Sequence, residues 1–220
     1  MMKVRIEYTY QTPKGVTAAF TSEDMEASKA LFIVEDIRKM GRMKNVVFVD
    51  SHEHTWSLKE LRKQMEEIQT EPHDITVYFD GGFDLETSHS GLGCAIYYQQ
   101  NNTFYRLRKN AMVEELCSNN EAEYAALHLA LVELERLDVH HLPVSFYGDS
   151  QVVVNQLMGE WPCYEEELTK WADRIENKMN QLGVIPEYKH ISRKKNREAD
   201  RLAGQALKGM EITSKKELAE

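Results

Sequence analysis

Long apolar stretches and paired cysteines are both missing from this 220-residue sequence. No run approaches the ~18 consecutive apolar residues that a membrane-spanning helix needs. The N-terminus also lacks the apolar block and small-residue cleavage site of a signal peptide. The cysteines, Cys94, Cys117 and Cys163, are odd in number and show no CxxC spacing, which argues against a disulfide framework and a structural zinc site. We therefore expect a cytoplasmic protein with no membrane partner.

An excess of basic residues is missing too, because 27 Lys and Arg stand against 36 Asp and Glu, for a net charge of −9. Proteins that hold nucleic acid through its phosphates are usually basic. Residues 1–72 are nearly neutral, with 11 basic and 12 acidic side chains, so the acidic excess lies in the remainder, with 16 basic and 24 acidic. Either the partner of this remainder is not a polyanion, or some of its carboxylates hold metal ions.

The composition that is present, 42% hydrophobic and 29% charged residues, is that of a globular protein with one domain or two small ones. A polar, proline-containing stretch at residues 69–73 is the expected boundary. We predict a small α+β domain of unknown role at residues 1–72, an α/β domain at residues 74–208, and a polar, frayed tail at residues 209–220. In the second domain, three successive strands followed by alternating helices and strands favour a mixed sheet flanked by helices.

Two aspartates follow predicted strands of this second domain. Asp80 comes after the alternating apolar residues 75–79 and before two glycines, and Asp149 lies between Gly148 and Ser150. Ligands bind at the carboxyl ends of strands in sheets that are covered by helices. Each aspartate alone has an ordinary alternative role as a turn former.

A glutamate lies on the core-facing stripe of the helix predicted at residues 120–136. Leu127, Leu131 and Leu134 mark that stripe, and Glu123 precedes it by one turn. Glu121 is about 200° round the helix from Glu123 and is expected to face solvent. A carboxylate on a core stripe must be paired, protonated or bound to a metal.

Asp200 repeats this anomaly on the last predicted helix, three residues before Ala203 and seven before Leu207. An ion pair with Arg197 or Arg201 is the simpler alternative. If the four acids converge, their mutual repulsion calls for a counter-ion. Oxygen ligands without cysteine favour Mg²⁺ or Mn²⁺, and two such ions suit phosphodiester chemistry.

Four segments in this order resemble type 1 ribonuclease H over about 130 residues. They are residues 78–82 (YFDGG), 118–123 (SNNEAE), 147–151 (YGDSQ) and 196–203 (NREADRLA). The resemblance implies a mixed five-stranded sheet flanked by helices, and a two-metal endonuclease that hydrolyses the RNA strand of RNA–DNA hybrids. It implies a metal-binding and catalytic set made of Asp80, Glu123, Asp149 and Asp200.

The resemblance also implies roles for four further residues. His190 lies six residues before the motif asparagine, where the family has a histidine for proton transfer and product release; alternatively it only ends a strand. Asn119, Asn120 and Gln151 match positions that contact nucleic acid, where amides can bond a 2′-hydroxyl. Alternatively, the asparagines only cap the helix and Gln151 is only exposed to solvent.

Several departures from the family pattern keep other functions open. The family's Asn-Pro-Gly turn is replaced by residues 83–90, and the region of its basic protrusion, residues 159–173, is acidic here. Residues 106–109 or 193–197 are the candidate basic surfaces. The alternatives are a nuclease with another substrate, and a non-catalytic nucleic-acid-binding or scaffold protein. The N-terminal domain does not resemble the family's hybrid-binding domain, and its partner and the oligomeric state stay open.

Overall fold

A computed structural model describes residues 2–218, apart from the side chain at position 68. The chain divides into two compact units, Met1–Thr70 and Glu71–Glu220. No helix in the described residues is long and apolar enough to cross a lipid bilayer.

The N-terminal unit is a small antiparallel sheet covered by two helices. Its elements are β1 (Lys3–Gln11), β2 (Thr17–Thr21), β3 (Met25–Glu26), α1 (Ala27–Arg38), β4 (Met43–Asp50), β5 (Thr55–Trp56) and α2 (Leu58–Thr70). The strands lie in the order β2-β1-β4-β5, and β3 pairs with β1. Alternate residues of β1, Val4 and Ile6, pack with Phe48 of β4 against the buried faces of α1 and α2, as the period of a half-buried strand requires.

The C-terminal unit contains a mixed sheet with helices on both faces. Its elements are β6 (His73–Asp84), β7 (His89–Gln100), β8 (Thr103–Val113), α3 (Asn119–Arg136), β9 (Pro143–Gly148), α4 (Gln151–Leu157), α5 (Glu166–Leu182), β10 (Ile185–His190), a short 3₁₀ turn (Arg193–Lys195), α6 (Arg197–Leu207) and β11 (Thr213–Leu218). The strand order is β10-β9-β6-β7-β8-β11. β9 runs parallel to both β10 and β6, and the other pairs are antiparallel. The predicted α/β fold with a mixed, helix-flanked sheet is confirmed.

Two neighbouring glycines of β6 show that α3 and α6 cover opposite faces of this sheet. A Cβ built on Gly81 meets the backbone of α3, whereas one built on Gly82 meets Leu207 of α6. Successive residues of a strand point to opposite faces. The main core lies on the α3 side, where Val77 and Phe79 of β6 pack against the fully buried leucine stripe of α3.

The end of the chain differs from the prediction. Residues 213–218 are not a frayed tail but form a sixth strand, β11, which pairs antiparallel with β8, so the sheet has six strands and not five. Buried Asn110 holds the connection to this strand, because its Nδ2 donates to the carbonyl of Met210 and its Oδ1 accepts from the backbone N–H of Ile212. Residues 219 and 220 of the predicted tail lie outside the described residues.

Candidate metal centre

Three acidic side chains from three different elements meet at one edge of the large sheet. Asp80 lies on β6, Glu123 is on α3, and Asp149 directly follows β9. One oxygen atom from each carboxylate lies within 4.8 Å of the others. The structure therefore brings together three of the four acids that the sequence analysis selected.

Sheet register places the two aspartates side by side. The parallel strands β6 and β9 pair Tyr78 with Tyr147. Two residues further on, Asp80 and Asp149 lie where the pairing of these two strands stops. β9 ends at Gly148, but β6 continues to Asp84 as a partner of β7 alone, so the strand end predicted at Asp80 is wrong and only Asp149 follows a strand. The carboxyl end of β9 lies at this edge. This is the edge at which parallel strands end, which is where ligands bind in helix-covered sheets.

Gly81 allows Glu123 to reach the same point. A Cβ on Gly81 would lie 2.1 Å from the carbonyl carbon of Ala122 and 2.3 Å from the backbone nitrogen of Glu123. Only a residue without a side chain lets the helix backbone approach a strand this closely. The backbone N–H of Gly81 also hydrogen-bonds to the carboxyl group of Glu123.

Burial and like charge make this cluster costly without a counter-ion. Glu123 is only 3% exposed, and burial, followed by the charges of Asp80 and Asp149, raises its pKa to about 9. Burial is also the largest cause that raises the pKa of Asp80, with Asp149 and Asp200 adding to it. Among the described residues, Glu123 Oε2 and Asp149 Oδ2 are buried without any hydrogen-bond partner.

These orphaned oxygens fit a hard divalent cation. Buried polar atoms nearly always have a partner, and a cation bound between the carboxylates would supply one while cancelling their repulsion. The donor set consists of carboxylate oxygens alone, which is the type that Mg²⁺ and Mn²⁺ prefer.

The fourth acid, Asp200, lies outside this group of three and forms an ion pair. On α6, Oδ1 of Asp200 accepts hydrogen bonds from Nε of Arg193 at 2.9 Å and from Nη2 at 2.5 Å. The alternative partners expected from the sequence, Arg197 and Arg201, are wrong, because Arg193 of the 3₁₀ turn forms this pair. Asp200 is nevertheless close enough to influence the pKa of Asp80.

Two glycines on β7 determine how closely α6 packs against the sheet. A Cβ on Gly91 would lie 2.2 Å from the carbonyl oxygen of Ala203, and one on Gly93 would lie 2.4 Å from that of Ala199. The helix that carries Asp200 therefore sits directly on the strand backbone. Nothing in the sequence pattern alone pointed to this role.

Asn196, the motif asparagine to which the sequence motifs assign no role, is a positioning residue. It is 1% exposed, and its Nδ2 donates to the carbonyl of Phe79 at 2.8 Å. This bond joins the start of α6 to the residue before Asp80. The signal in the sequence is an asparagine directly before a predicted helix, but its burial is known only from the structure.

The other predicted site residues lie around the same edge. His190 is the exposed last residue of β10, and its Nε2 lies 3.2 Å from the backbone oxygen of Asp149. Oδ1 of Asn119 accepts from the backbone N–H of Phe83 at 3.3 Å. Asn120 is the half-buried second residue of α3, and Gln151 is the exposed first residue of α4.

The start of α3 corrects one prediction about Glu121. It does not face solvent but is only 8% exposed, because its Oε2 accepts from the backbone N–H of Cys117 while Ser118 Oγ accepts from the N–H of Glu121. This arrangement resembles a capping box, except that the glutamate bonds to Cys117, one residue before the N-cap. The helix cap is Ser118 and not either asparagine.

Comparison with known proteins identifies the family. A family model described as reverse transcriptase-like matches residues 78–206. The uncharacterized protein YpeP of Bacillus subtilis is 43% identical over 207 residues, which cover 94% of this chain and 91% of YpeP. Among solved structures, LC11-RNase H1 from compost is 29% identical with a TM-score of 0.53, covering 61% of this chain and 96% of that one. The chain belongs to the ribonuclease H family.

Further relatives match a smaller share of the chain. The bifunctional protein Rv2228c of Mycobacterium tuberculosis is 28% identical over 133 residues, which cover 60% of this chain and 35% of Rv2228c. A second structure of LC11-RNase H1, 26% identical with a TM-score of 0.53, holds an RNA/DNA hybrid. It covers 62% of this chain and 98% of that one.

Proposed function

We propose that the ribonuclease H domain, residues 74–208, is a metal-dependent endonuclease that hydrolyses the RNA strand of RNA–DNA hybrids. The observation that carries this proposal is the cluster of Asp80, Glu123 and Asp149, whose oxygens lie within 4.8 Å of one another. The similarity to LC11-RNase H1, which was solved with an RNA/DNA hybrid, supports the substrate.

The chain's own carboxylates are the proposed ligands of two Mg²⁺ or Mn²⁺ ions. Asp80, Glu123 and Asp149 already converge, and Asp200 completes the set once it leaves Arg193. Bound ions of this kind supply an activated water and stabilise the leaving oxygen in phosphodiester hydrolysis. The buried oxygens without partners are the atoms that would face the ions.

The neighbouring residues are assigned to the proton and the substrate. His190 ends β10 next to Asp149, and its imidazole is assigned to proton transfer at the reacting phosphate. Asn119, Asn120 and Gln151 lie at the first turns of α3 and α4. Amides in such positions can bond a 2′-hydroxyl and so distinguish RNA from DNA.

One observation favours a second candidate, a protein that binds nucleic acid without cutting it. The ion pair between Arg193 and Asp200 occupies a carboxylate that two-metal chemistry needs. If this pair persists when substrate and metal are bound, the domain retains the family's fold without its turnover.

A cleavage assay separates these possibilities. The purified chain is incubated with a labelled RNA–DNA hybrid, double-stranded RNA, double-stranded DNA or single-stranded RNA, each with Mg²⁺, Mn²⁺ or chelator. We expect metal-dependent cutting of the RNA in the hybrid alone. Asp149→Asn should abolish it, whereas Asp173→Asn, an exposed change on α5, should not.

Other results lead to the alternatives. Cutting of a different substrate would replace the hybrid as the proposed target. Binding of hybrid without cutting, in a chain that also binds Mn²⁺ by calorimetry, would establish the non-catalytic candidate.

A further inference from the structure

The N-terminal unit contains an open groove that the ribonuclease H domain does not explain. It has a volume of about 810 Å³ and lies between the end of α1, the start of β4 and the first half of α2. The charged side chains that line it are Arg38, Lys44, Lys59, Arg62, Lys63 and Glu66.

Basic side chains are concentrated in this groove, although the N-terminal unit as a whole is neutral. Residues 1–70 are neutral as a whole, with 11 basic and 11 acidic side chains. Five of the basic side chains line the groove, but only one of the acidic ones does. A concentration of one charge sign in a concave surface raises the local potential and attracts the opposite charge.

Three of the five cations are available for a ligand. Arg62 pairs with Glu35 at 2.5 Å, and Lys63 lies 3.4 Å from Glu67. Within residues 2–218, no acidic partner lies within ion-pair distance of Arg38, Lys44 or Lys59. The two existing pairs are exposed, and exposed pairs contribute little stability that a ligand would have to replace.

Lys44 lines the groove from a β-bulge in β4. Glu7 of β1 pairs with Val47, but Thr9 pairs with Lys44, so two residues of β4 oppose one residue of β1. The extra residue, Asn45, has a left-handed backbone with φ of 49°. Bulges redirect side chains out of the regular pleat, and here the bulge coincides with the groove.

The lining points to recognition of a phosphate backbone and not of bases. None of the groove's lining residues is aromatic, whereas proteins that hold single strands by their bases provide aromatic stacking platforms. Lysine and arginine contacts to phosphates position a nucleic acid without reading its sequence.

We infer that this groove binds the phosphate backbone of a nucleic-acid duplex, independently of sequence. The choice of nucleic acid over another polyanion rests on the proposed function of the ribonuclease H domain, because that domain brings the chain to RNA–DNA hybrids. The groove gives the N-terminal unit a binding role of its own.

The test compares two pairs of lysines in the full chain. Lys44→Gln with Lys59→Gln removes two unpaired groove lysines. Lys3→Gln with Lys14→Gln removes two lysines of the same unit that do not line the groove. Binding of a labelled RNA–DNA hybrid is followed by fluorescence anisotropy in chelator, so that no cleavage takes place.

The expected effect is on the salt dependence of binding. Each lost phosphate contact lowers the log–log salt slope by about 0.9, so two contacts make the loss of affinity between about 50 and about 200 mM salt roughly tenfold smaller. The control pair should keep the slope of the unaltered chain. Each single groove variant should show about half of the change in slope.

Several outcomes would overturn the inference. Equal salt slopes for the groove and control variants would remove the groove from binding. Displacement of the hybrid by triphosphate or by polyglutamate, as effectively as by unlabelled hybrid at equal charge, would replace the duplex by a small phosphate or an acidic polypeptide. Because the readout is binding in chelator, a chain that fails to cut any substrate can still pass this test.

Discussion

Gly81→Ala tests how tightly the packing of α3 on β6 determines the metal centre. The added methyl carbon would lie 2.1 Å from the carbonyl carbon of Ala122 and 2.3 Å from the backbone nitrogen of Glu123. Both atoms belong to the helix backbone, so no side chain can rotate away. The backbone φ of Gly81 is not in the left-handed region, and the effect of the substitution is therefore purely steric.

The distances give the size of the effect. Ordinary van der Waals contact begins at 3.4 Å, so α3 must withdraw from β6 by about 1 Å, and a misplacement of this size can cost about 100-fold in rate. Overpacking of this kind typically costs about 1–3 kcal/mol. For a unit of this size, that lowers Tm by roughly 2–12 °C.

Gly82→Ala is the matched control, because it adds the same methyl group one residue further along the same strand. There the new carbon meets only the side-chain atom Cδ1 of Leu207, at 3.5 Å. Thermal unfolding and hybrid cleavage are measured for both variants. The reasoning is refuted if Gly81→Ala unfolds at the same temperature and cuts hybrid at the same rate as Gly82→Ala.

Two further predictions concern buried or hydrogen-bonded carboxyls. In chelator at about pH 7, Glu123→Gln should stabilise the ribonuclease H domain by about 3 kcal/mol in urea unfolding, because folding raises the pKa of Glu123 from 4.5 to about 9. The advantage should grow as the pH rises through that window and reverse with saturating Mn²⁺. Asp50→Asn should destabilise the N-terminal unit near neutral pH. There, hydrogen bonds from Trp56 Nε1 and two backbone N–H groups lower the pKa of Asp50 from 3.8 to about 2. The stabilisation by Asp50 is lost as the pH falls through that range, and Trp56 fluorescence reports it.

Each of these predictions has a contrary outcome. A Glu123→Gln variant that is less stable than the unaltered chain in chelator would mean that folding does not raise the pKa of Glu123. For Asp50, a stability difference that is as large at about pH 2 as near neutral pH would exclude the charged carboxylate as its source.

Much of the site could be predicted because its signals are local. Strand alternation selected Asp80 and Asp149, although only Asp149 follows a strand, since β6 continues to Asp84. Helical periodicity placed Glu123 on the buried stripe of α3, which its 3% exposure confirms. These patterns extend over a few residues and do not depend on distant parts of the chain.

The errors came from positions where local periodicity does not apply. Glu121 lies in the first turn of α3, where unsatisfied backbone N–H groups recruit side chains, and it folds back on Cys117. β11 is polar and was not predicted. Its hydrogen bonds come from the exposed edge of β8, about a hundred residues earlier in the chain.

The sequence by itself determined the family, the two-unit organisation and the identity of the clustered acids, because short motifs and periodic patterns encode them. The tertiary structure alone decided that Arg193 holds Asp200, that Gly81 lets α3 touch β6, and that five cations share one groove in the N-terminal unit. Each of these depends on the distance between elements. That distance is set by packing across the whole unit, which no local pattern of residues records.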